Sequence, residues 1–391
     1  MIIDDLTLIK CLGRGSFGEV YLTSKKGTQL KFATKKISKQ FSNIPKFKQY
    51  LNNEIQILKE ISNEYIIKLY EVKETTNYNF LVMELCNGGE LSKCLEDYQN
   101  KYHKPFSEEI VQYLMRQIIS GIKYLHNNNI LHRDVKLDNI LVNFDSEEDK
   151  KNKNMLKSKI KIIDFGFARH LTPKELAFSQ LGSPINMDPG ILNKINKIEN
   201  FNDYGYDQKA DIWSLGTICY EMLMGKSAFE SNSMSELVNK INNGKYYLSS
   251  NLSKETLSFL KGMLKFDLKK RKNIDELYKH HFLTKPYNTF NKIKDKDNDN
   301  DNDNDCEDEI EINIKKSNNS ILKKPNIYST ILIEEEDDNN NNNINELFLE
   351  EFYHINDDFI YIEPKLIPII PGIRQNYIGK DSEYTQDDFF Y

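Results

Sequence analysis

Six polar side chains lie between two short apolar runs in the stretch from Ile130 to Val142. They are His132, Arg133, Asp134, Lys136, Asp138 and Asn139. A carboxylate can accept a proton, and an ammonium can screen a developing negative charge. Because two apolar anchors would hold these groups and an amide in fixed register, the stretch indicates a chemical site and not a linker.

A second group consists of three glycines, Gly13, Gly15 and Gly18. Glycines at this spacing let backbone amides approach phosphate oxygens without a Cβ in the way. Dinucleotide-binding folds share the pattern, but there the third glycine leads into a helix. Here Glu19–Thr23 and 30–37 favour two strands, so the pattern predicts a hairpin over a phosphate group. The alternative is a plain glycine-rich hairpin.

A lysine and a glutamate follow at positions where they could meet. Lys35 lies on the returning strand, and neighbouring Lys36 should point to its opposite face. Apolar residues at steps of three and four predict a helix over 46–61, and Glu54 lies beside its apolar face. Each of these charged residues, taken alone, is more often a solvated surface charge.

A third motif, Asp164-Phe165-Gly166, closes a short apolar strand over 160–163. Taken in order, these motifs resemble those of eukaryotic protein kinases: a glycine-rich loop, a strand lysine, a helix glutamate, H-R-D-x-K-x-x-N and D-F-G. The resemblance covers about 6–283 and implies an α+β, two-lobed fold with a small, mostly β N-lobe and a larger, mostly α C-lobe. Lys136 follows the serine/threonine pattern.

The resemblance implies a role for each motif residue. Asp134 would orient the substrate hydroxyl and accept its proton, and Lys136 would screen the γ-phosphate. Lys35, held by Glu54, would bind the α- and β-phosphates of ATP. Asn139 and Asp164 would hold Mg²⁺, with Mn²⁺ as an alternative ion. Asp211 would support the catalytic-loop backbone, and His132 would pack under Phe165.

The resemblance also implies a nucleotide pocket between the lobes. Met83 would be the gatekeeper, 84–86 the hinge that bonds the adenine edge, and Glu90 a partner of the ribose or of a basic substrate residue. The pocket would comprise Leu12, Gly13, Gly15, Gly18, Val20, Ala33, Lys35, Met83, Glu84, Cys86, Glu90 and Leu141. Implied regulatory residues are Arg133, Ser179 as a phosphorylation site, and Ser183 as a hydrogen-bonding residue near Asp134.

Composition narrows the class of protein. The 391 residues can bury a sizeable core, and the five cysteines form no C-x-x-C pair, which argues against a disulfide framework or a zinc site. No run reaches the ~18 apolar residues of a membrane span, and no signal peptide opens the chain. The formal charge of −6 conceals a mildly basic body and an acidic tail, and the body is not basic enough to argue nucleic-acid binding. We expect a cytoplasmic protein.

The elements that must position the motifs define the organisation. Strands are predicted at 6–12, 66–71 and 80–84, and a helix at 107–126 precedes the catalytic loop. The kinase domain is expected over 1–285, with an N-lobe to about 84, a C-lobe from about 87 and a charged insertion at 144–159, predicted to be a loop of low order. An Asp/Asn-rich disordered linker (286–343) and an acidic-aromatic tail (344–391) should follow.

One departure from the family pattern leaves an alternative open. The expected Ala-Pro-Glu appears as Asp188-Pro189-Gly190, and the family's Glu pairs with an arginine matched here by Arg271. Either Asp188 takes the place of the missing glutamate as the partner of Arg271, or Arg271 turns outward. A pseudokinase or scaffold that binds nucleotide or partners without phosphotransfer is therefore the alternative to an active enzyme.

Finer resemblances concern the kinase group and the tail. The F-G-F-A-R stretch from Phe165 and the Gly182-Ser183-Pro184 segment resemble the autophagy-initiating group, with the calcium/calmodulin-dependent group as competitor. Phe359-x-x-Ile362, preceded by two aspartates, resembles peptides that bind ubiquitin-like autophagy modifiers by strand addition. The alternative is a tail that packs back on the kinase body.

Overall fold

The structure is a computed structural model. It describes residues 2–15, 18–40, 45–170, 184–195, 207–231, 233–244, 246–249, 251–289, 354–356 and 359–361. The residues described up to Thr289 belong to one compact unit, and the two short stretches near the C terminus belong to another.

The N-lobe is an antiparallel sheet with one helix. Its six strands run in the order β1-β2-β3-β4-β6-β5. The elements are β1 (Ile2–Ile3), β2 (Leu6–Gly15), β3 (Gly18–Lys25), β4 (Lys31–Ser38), α1 (Pro45–Glu60), β5 (Leu69–Glu74) and β6 (Tyr78–Met83). The strand predicted at 66–71 begins three residues later, because Ile66 instead bridges to Ile162 of the C-lobe.

The first part of the C-lobe surrounds the predicted catalytic loop. Ser107 caps the long helix as its sequence indicates, by accepting the N–H of Ile110. The elements are β7 (Gly89–Glu90), α2 (Leu91–Tyr102), α3 (Glu108–Asn127), β8 (Ile130–Leu131), β9 (Ile140–Phe144), α4 (Glu147–Asn152), β10 (Ser158–Ile162) and β11 (Arg169–His170). Strand β9 pairs with both β10 and β7.

The second part of the C-lobe is helical. It comprises α5 (Pro189–Ile195), α6 (Gln208–Met224), α7 (Met234–Asn242), α8 (Lys254–Met263), α9 (Ile274–Tyr278) and α10 (His281–Thr284). Helix α6 is buried along almost its whole length. The predicted two-lobed α+β fold is therefore confirmed.

The core explains how the lobes are joined. A small cluster of Ile37, Phe47, Leu51 and Leu81 packs α1 on the N-lobe sheet. The large cluster begins with Ile57 of the same helix and extends through α3 and α6. Helix α1 thus contributes to both cores, and Glu54 lies between its two contact regions.

The charged insertion corrects one prediction. Residues 147–152 form α4, whose N-cap Ser146 accepts the N–H of Asp149, and Met155 is only 2% exposed. Lys153 contacts Asp97 of α2. The insertion is an ordered, capped helix and not a loop of low order, because its local caps and one buried methionine outweigh its charged composition.

Near the C terminus, β12 (His354–Asn356) pairs antiparallel with β13 (Phe359–Tyr361). The linker predicted at 286–343 and Ile362 lie outside the described residues, except for the turn Tyr287–Thr289. Among the residues that the structure describes, none of the helices combines the length and apolar character that a bilayer span requires.

Candidate active site

The loop between β8 and β9 carries the polar cluster at 132–139. Its flanking residues Ile130, Leu131, Ile140 and Val142 expose 1% or less of their surface. Leu137–Asn139 form a short 3-10 turn that leads directly into β9. Because both ends of the loop are anchored in the core, its polar groups are held in fixed register.

The buried carboxylate of Asp211 in α6 holds the backbone of this loop. It accepts the N–H groups of His132 at 3.0 Å and Arg133 at 2.9 Å, and it lies 2.8 Å from Nε2 of His126. Burial works to raise the pKa of Asp211, but the hydrogen bonds from His126 and the backbone lower it below its ordinary value. These bonds fix Arg133 in the left-handed region, at φ 69, which costs a non-glycine residue roughly 1–2 kcal/mol.

Asp134, Lys136 and Asn139 are brought together within the loop. The Lys136 ammonium lies 3.1 Å from Oδ2 of Asp134. The Asn139 amide donates to the same oxygen at 2.9 Å and to the Asp134 backbone carbonyl at 2.8 Å. A carboxylate, an ammonium and an amide therefore share one buried site, and only 3% of Asp134 is exposed.

His132 connects the residues on either side of Asp164, which are Ile163 and Phe165, to the loop that carries this cluster. Nε2 of His132 donates to the Ile163 carbonyl at 3.0 Å, and Nδ1 accepts the N–H of Asp134 at 3.3 Å. The same ring packs edge-on to Phe165, with centroids 5.2 Å apart. A single tautomer makes both hydrogen bonds, so His132 has a structural position. Asp164 itself has a left-handed φ of 66.

Lys35 and Glu54 form a buried ion pair. The Lys35 ammonium lies 3.0 and 3.1 Å from the two carboxylate oxygens. Burial works to lower the pKa of Lys35, but the charges of Glu54 and Asp164 outweigh it and raise the pKa, so the lysine stays cationic. Lys36 points to the other face of β4 and lies 4.3 Å from the Tyr78 ring centroid. Because side chains alternate between the two faces of a strand, Lys35 faces Glu54 and Lys36 does not.

Helix α1 also contacts the segment that follows Asp164. The Asn53 side chain donates to the Ala168 carbonyl, and the Tyr50 ring packs edge-on to Phe167 at 5.5 Å. Both residues neighbour Glu54 on the helix. The position of the Lys35–Glu54 pair is therefore coupled to the start of the segment after Asp164.

The glycine-rich stretch forms the hairpin of β2 and β3. Gly15 pairs with Gly18 across the turn; residues 16 and 17 lie outside the described part of the chain. Gly18 has φ 151, and an added Cβ would lie 2.1 Å from the Lys36 carbonyl oxygen. Only glycine fits at position 18, because any side chain would collide with the backbone of β4.

The other residues predicted to bind nucleotide lie on strands of both lobes and in the interlobe segment 84–88, which joins β6 to β7. Ala33 pairs with Met83, Val20 with Lys35, and Glu90 with Leu141. The four apolar members of these pairs are half-buried, and the remaining predicted residues Leu12, Gly13, Glu84 and Cys86 are also exposed or half-buried. Partly exposed apolar side chains on both lobes suit a flat, mostly apolar ligand surface such as a nucleobase.

Asn139 and Asp164 offer oxygen donors that fit a hard divalent cation. Both hydrogen bonds of the Asn139 amide use its NH₂ group. Among the described residues, no donor is bonded to the side-chain oxygen Oδ1 of Asn139, which leaves that oxygen available as a ligand. Mg²⁺ is commonly held by one or two protein oxygens together with substrate phosphates. The donor set therefore fits the ion that the sequence predicts.

Arg271 has a carboxylate partner, Asp188, although Gly190 stands where the family pattern has glutamate. One Arg271 nitrogen contacts Oδ2 of Asp188, and both side chains are fully buried. The other carboxylate oxygen caps α5 by accepting the N–H of Gly190 at 2.8 Å. Arg271 also stacks on Trp213, 5.1 Å from the ring. Arg271 does not turn outward; Asp188 is its partner.

The regulatory serines Ser179 and Ser183 lie outside the described residues. Arg133, the third predicted regulatory residue, is 5% exposed and follows His132 in the buried loop. Its position in the loop is therefore described, while its relation to Ser179 stays a prediction.

Three contacts near the site were not predicted from the sequence. They are Asn53 with Ala168, Lys161 with Glu84 at 2.9 Å, and Ser92 with Asp138 at 3.0 Å. Each joins residues far apart in the chain, and each residue type is ordinary at an exposed position. Lys161 alone gave a signal, since a lysine between apolar residues of a short strand has to find a partner.

Comparison with known proteins gives a consistent result. The profile of the protein kinase domain matches residues 6–283. Serine/threonine-protein kinase atg1 of Dictyostelium discoideum is 36% identical over 286 residues, 72% of this chain and 39% of that protein. Serine/threonine-protein kinase 33 of Bos taurus is 34% identical over 304 residues, 74% of this chain and 58% of that protein.

A further relative is calcium-dependent protein kinase 4 of Plasmodium berghei, 33% identical over 279 residues, 70% of this chain and 48% of that protein. The chain therefore spans less than two thirds of the length of each of these relatives. The similarity concerns the two-lobed domain that carries the residues described above.

Proposed function

This chain belongs to the protein kinase family, and we propose that it transfers the γ-phosphate of ATP to serine and threonine hydroxyls of protein substrates. The serine/threonine preference is supported by the similarity to serine/threonine kinases and by Lys136, which lies 3.1 Å from Asp134.

The observation that carries the proposal is the joint placement of Asp134, Lys136 and Asn139 in one buried loop. Asp134 is proposed to orient the substrate hydroxyl and accept its proton as the bond to phosphorus forms. Lys136 would screen the negative charge on the transferred group. Catalysis by such a site is mostly positioning plus electrostatic stabilisation.

Lys35 and Glu54 are proposed to hold ATP in register with this loop. The ion pair fixes the Lys35 ammonium at the base of the glycine-rich hairpin, where it would bind the α- and β-phosphates. Asn139 and Asp164 would hold a divalent ion, which neutralises phosphate charge when bound. Ala33, Val20 and Leu141 would enclose the adenine, with the 84–86 backbone bonding its edge.

Phosphate transfer to a generic basic protein tests the proposal. With γ-labelled ATP and Mg²⁺, the chain should label the acceptor, and Asp134→Asn should lower kcat by about 10²–10⁴-fold, the usual contribution of a positioned general base. The variant keeps the size of the side chain, and a cooperative unfolding transition should show that it is folded.

Equal labelling by the two proteins, or none by either, would contradict the enzyme proposal and favour a pseudokinase or scaffold. The main reason for that alternative was a buried Arg271 without a carboxylate. The contact of Arg271 with Asp188 removes that reason. The set Lys35, Glu54, Asp134, Asn139 and Asp164 also supports an active enzyme, since a scaffold has no chemical need for it.

We also propose that phosphorylation of Ser179 regulates this site through a basic cluster that includes Arg133. A phosphate there would gain about one to three charge-assisted hydrogen bonds. In protein shown to be phosphorylated at Ser179, Ser179→Ala should reduce activity. Unchanged activity would exclude this role.

Two finer proposals concern partners and compartment. The first is strand addition at Phe359–Ile362 to a ubiquitin-like modifier. In a pull-down with such a modifier, the wild-type full chain should bind and Phe359→Ala should lose binding.

The second is a cytoplasmic compartment. It is supported by four cysteines that are free thiols in the described part of the chain: Cys11, Cys86, Cys94 and Cys219.

A further inference from the structure

A basic cleft of about 500 Å³ lies on the C-lobe, between α8 and the loop that precedes α9. We call it the lysine cleft. Of the described residues that line it, Leu257 alone has an apolar side chain. Its charged lining residues are Lys254, Lys261, Lys265, Lys270 and Lys272.

Local structure brings these lysines together. Lys254 and Lys261 are seven residues apart, so they share one face of α8. The Lys272 side chain lies flat on the helix at Gly262, where an added Cβ would be 2.7 Å from its Cδ. The Lys272 N–H also donates to the Gly262 carbonyl at 2.9 Å. A glycine in the helix thus admits a lysine from the following loop.

Four of the five lysines in the cleft form no ion pair with a described carboxylate. Among the described residues, no carboxylate lies within 4.0 Å of the ammonium groups of Lys254, Lys261, Lys265 or Lys272. Like charges that line one cleft oppose one another unless an anion is bound between them. The described residues of the lining include no aromatic ring. The ligand that fits is therefore an extended polyanion that needs no stacking partner.

The chain itself continues from the same side of the C-lobe. Nε2 of His280 lies 3.2 Å from Oγ of Ser258, which lines the cleft. Ser253, next to Lys254, donates its N–H to Glu108 of α3 at 3.2 Å, and the turn Tyr287–Thr289 packs against α3. The described part of the lobe therefore ends near the N-terminal end of the cleft.

We propose that the lysine cleft binds residues 295–311 of the same chain. This segment contains ten Asp or Glu against one Lys, with aspartate at every second position from Asp295 to Asp305. In an extended chain, alternate side chains share one face about 7 Å apart. Lys254 and Lys261 are seven residues apart on α8, a rise of about 10 Å, so an extended row of carboxylates is long enough to contact both.

The tether favours this occupant over a free polyanion. Only residues 290–294 separate Thr289 from Asp295, and a chain of that length reaches up to about 20 Å. A short tether gives the segment an effective concentration of the order of millimolar. This inference goes beyond phosphotransfer and does not depend on it.

The proposal is tested by measuring how tightly the full chain binds a separately added peptide. The probe is a fluorescent peptide with the sequence of residues 295–311, followed by anisotropy at low salt. In one chain variant the ten acidic residues of 295–311 are replaced by Asn or Gln, which empties the cleft. The peptide should bind this variant at least tenfold more tightly than the wild-type chain, and its affinity should fall steeply with added salt.

Matched lysine variants locate the site. In the neutralised chain, Lys254→Glu/Lys261→Glu/Lys265→Glu should abolish peptide binding. Lys31→Glu/Lys104→Glu/Lys151→Glu makes the same change in net charge at exposed positions elsewhere and should leave the affinity within about twofold, by the usual independence of distant sites. Equal loss in both triple variants would overturn the proposal, because it would show that only net charge matters.

Two further outcomes would also overturn it. Equal peptide affinity for the wild-type and neutralised chains would mean that the segment does not occupy the cleft. Equal binding of inositol hexakisphosphate by these two chains, at the lysine cleft, would show that the cleft serves a free polyanion.

Carbodiimide cross-linking of the wild-type chain is a second measurement. It should join cleft lysines to peptides from 295–311, and the absence of such cross-links would contradict the proposal.

Discussion

At the residue scale, Asp188 performs two tasks with one carboxylate. Oδ1 caps α5 through the N–H groups of Gly190 and Ile191, at 2.8 and 3.3 Å, and Oδ2 contacts Arg271. Nη2 of Arg271 has no hydrogen-bond partner among the described residues. The shorter acid thus replaces the family's glutamate at the cost of one unmade hydrogen bond.

The Asp188 carboxylate should therefore be essential for stability. Asp188→Ala removes one partner of a fully buried ion pair, and we expect a loss of about 3–5 kcal/mol in the free energy of unfolding. Asp188→Asn keeps an acceptor for the cap and should lose less. Denaturant unfolding measures both: equal losses would assign the effect to the lost charge, and no loss in Asp188→Asn would assign it to the cap.

The substitution Gly190→Glu tests whether a carboxylate at the family's usual position can replace that of Asp188. In Asp188→Ala/Gly190→Glu, the new carboxylate should reach Arg271 and restore part of the lost stability and phosphotransfer. The matched control is Asp188→Ala/Gly190→Gln, which adds the same bulk without charge. If the Gln variant rescues as well as the Glu variant, the ion pair is not the reason that Asp188 matters.

Motif residues were predictable from sequence because their chemistry depends on local spacing. Asp134, Lys136 and Asn139 lie in one loop, and the contacts expected among them require no knowledge of distant elements. Asn53 gave no signal, since its partner Ala168 lies 115 residues away in the chain. Lys161 indicated only that it needs a partner, and that partner, Glu84, lies 77 residues away. Only the packing of α1 and of the interlobe segment makes those contacts.

At the element scale, the insertion at 144–159 shows how composition can mislead. Its run of charged residues suggested disorder, yet Ser146 with Asp149 three residues later is an N-cap pattern that the sequence contains. Lys153 ends the helix in a left-handed conformation, at φ 49. Caps determined the structure here, and average polarity did not.

The N-cap of α10 makes a prediction about pH. Nδ1 of His280 accepts the N–H of Phe282 at 3.1 Å, which requires a neutral ring. Burial, together with Lys272 and His281, lowers the pKa of His280 to about 4. The unfolded chain, with an ordinary pKa near 6.5, binds the proton first. Stability is thus full above about pH 6.5 and falls as the pH drops towards 4.

We expect the wild-type chain to lose more stability between pH 7 and pH 5 than His280→Asn, which keeps a cap acceptor without titrating. The difference should be about 1 kcal/mol after allowance for solvent screening of a half-buried ring. Denaturant unfolding at the two pH values measures it. Identical pH dependence of the two proteins would mean that protonation of His280 does not disturb the cap.

At the scale of the whole molecule, the lobes are joined by more than the covalent connection at 84–88. Ile67 donates its N–H to the Ile162 carbonyl at 3.0 Å, and Gly88 to Val142 at 2.8 Å. Helix α1 packs on the N-lobe sheet at one end and enters the C-lobe core at the other. The sequence predicted both lobes, but this joint depends on contacts between distant strands and could not be read from local patterns.

Lys161 and Glu84 form an ion pair across this joint. Lys161 lies on β10 of the C-lobe, Glu84 follows β6 of the N-lobe, and their charged atoms are 2.9 Å apart. The side chains are 13% and 25% exposed, so solvent screens the pair only partly. Because Glu84 opens the segment proposed to bond the adenine edge, the pair should hold that segment in position for ATP.

Either Lys161→Met or Glu84→Gln should therefore raise the KM for ATP about fivefold, corresponding to roughly 1 kcal/mol for a favourable, partly buried pair. The kcat should change little, since neither side chain reaches the Asp134 cluster. The double variant should be no worse than either single variant, because the two changes remove the same contact. Steady-state kinetics at varied ATP concentration measures KM and kcat for the wild-type chain, the two single variants and the double variant. Additive increases in KM, or a fall in kcat at unchanged KM, would mean that the pair does not position the nucleotide-binding segment.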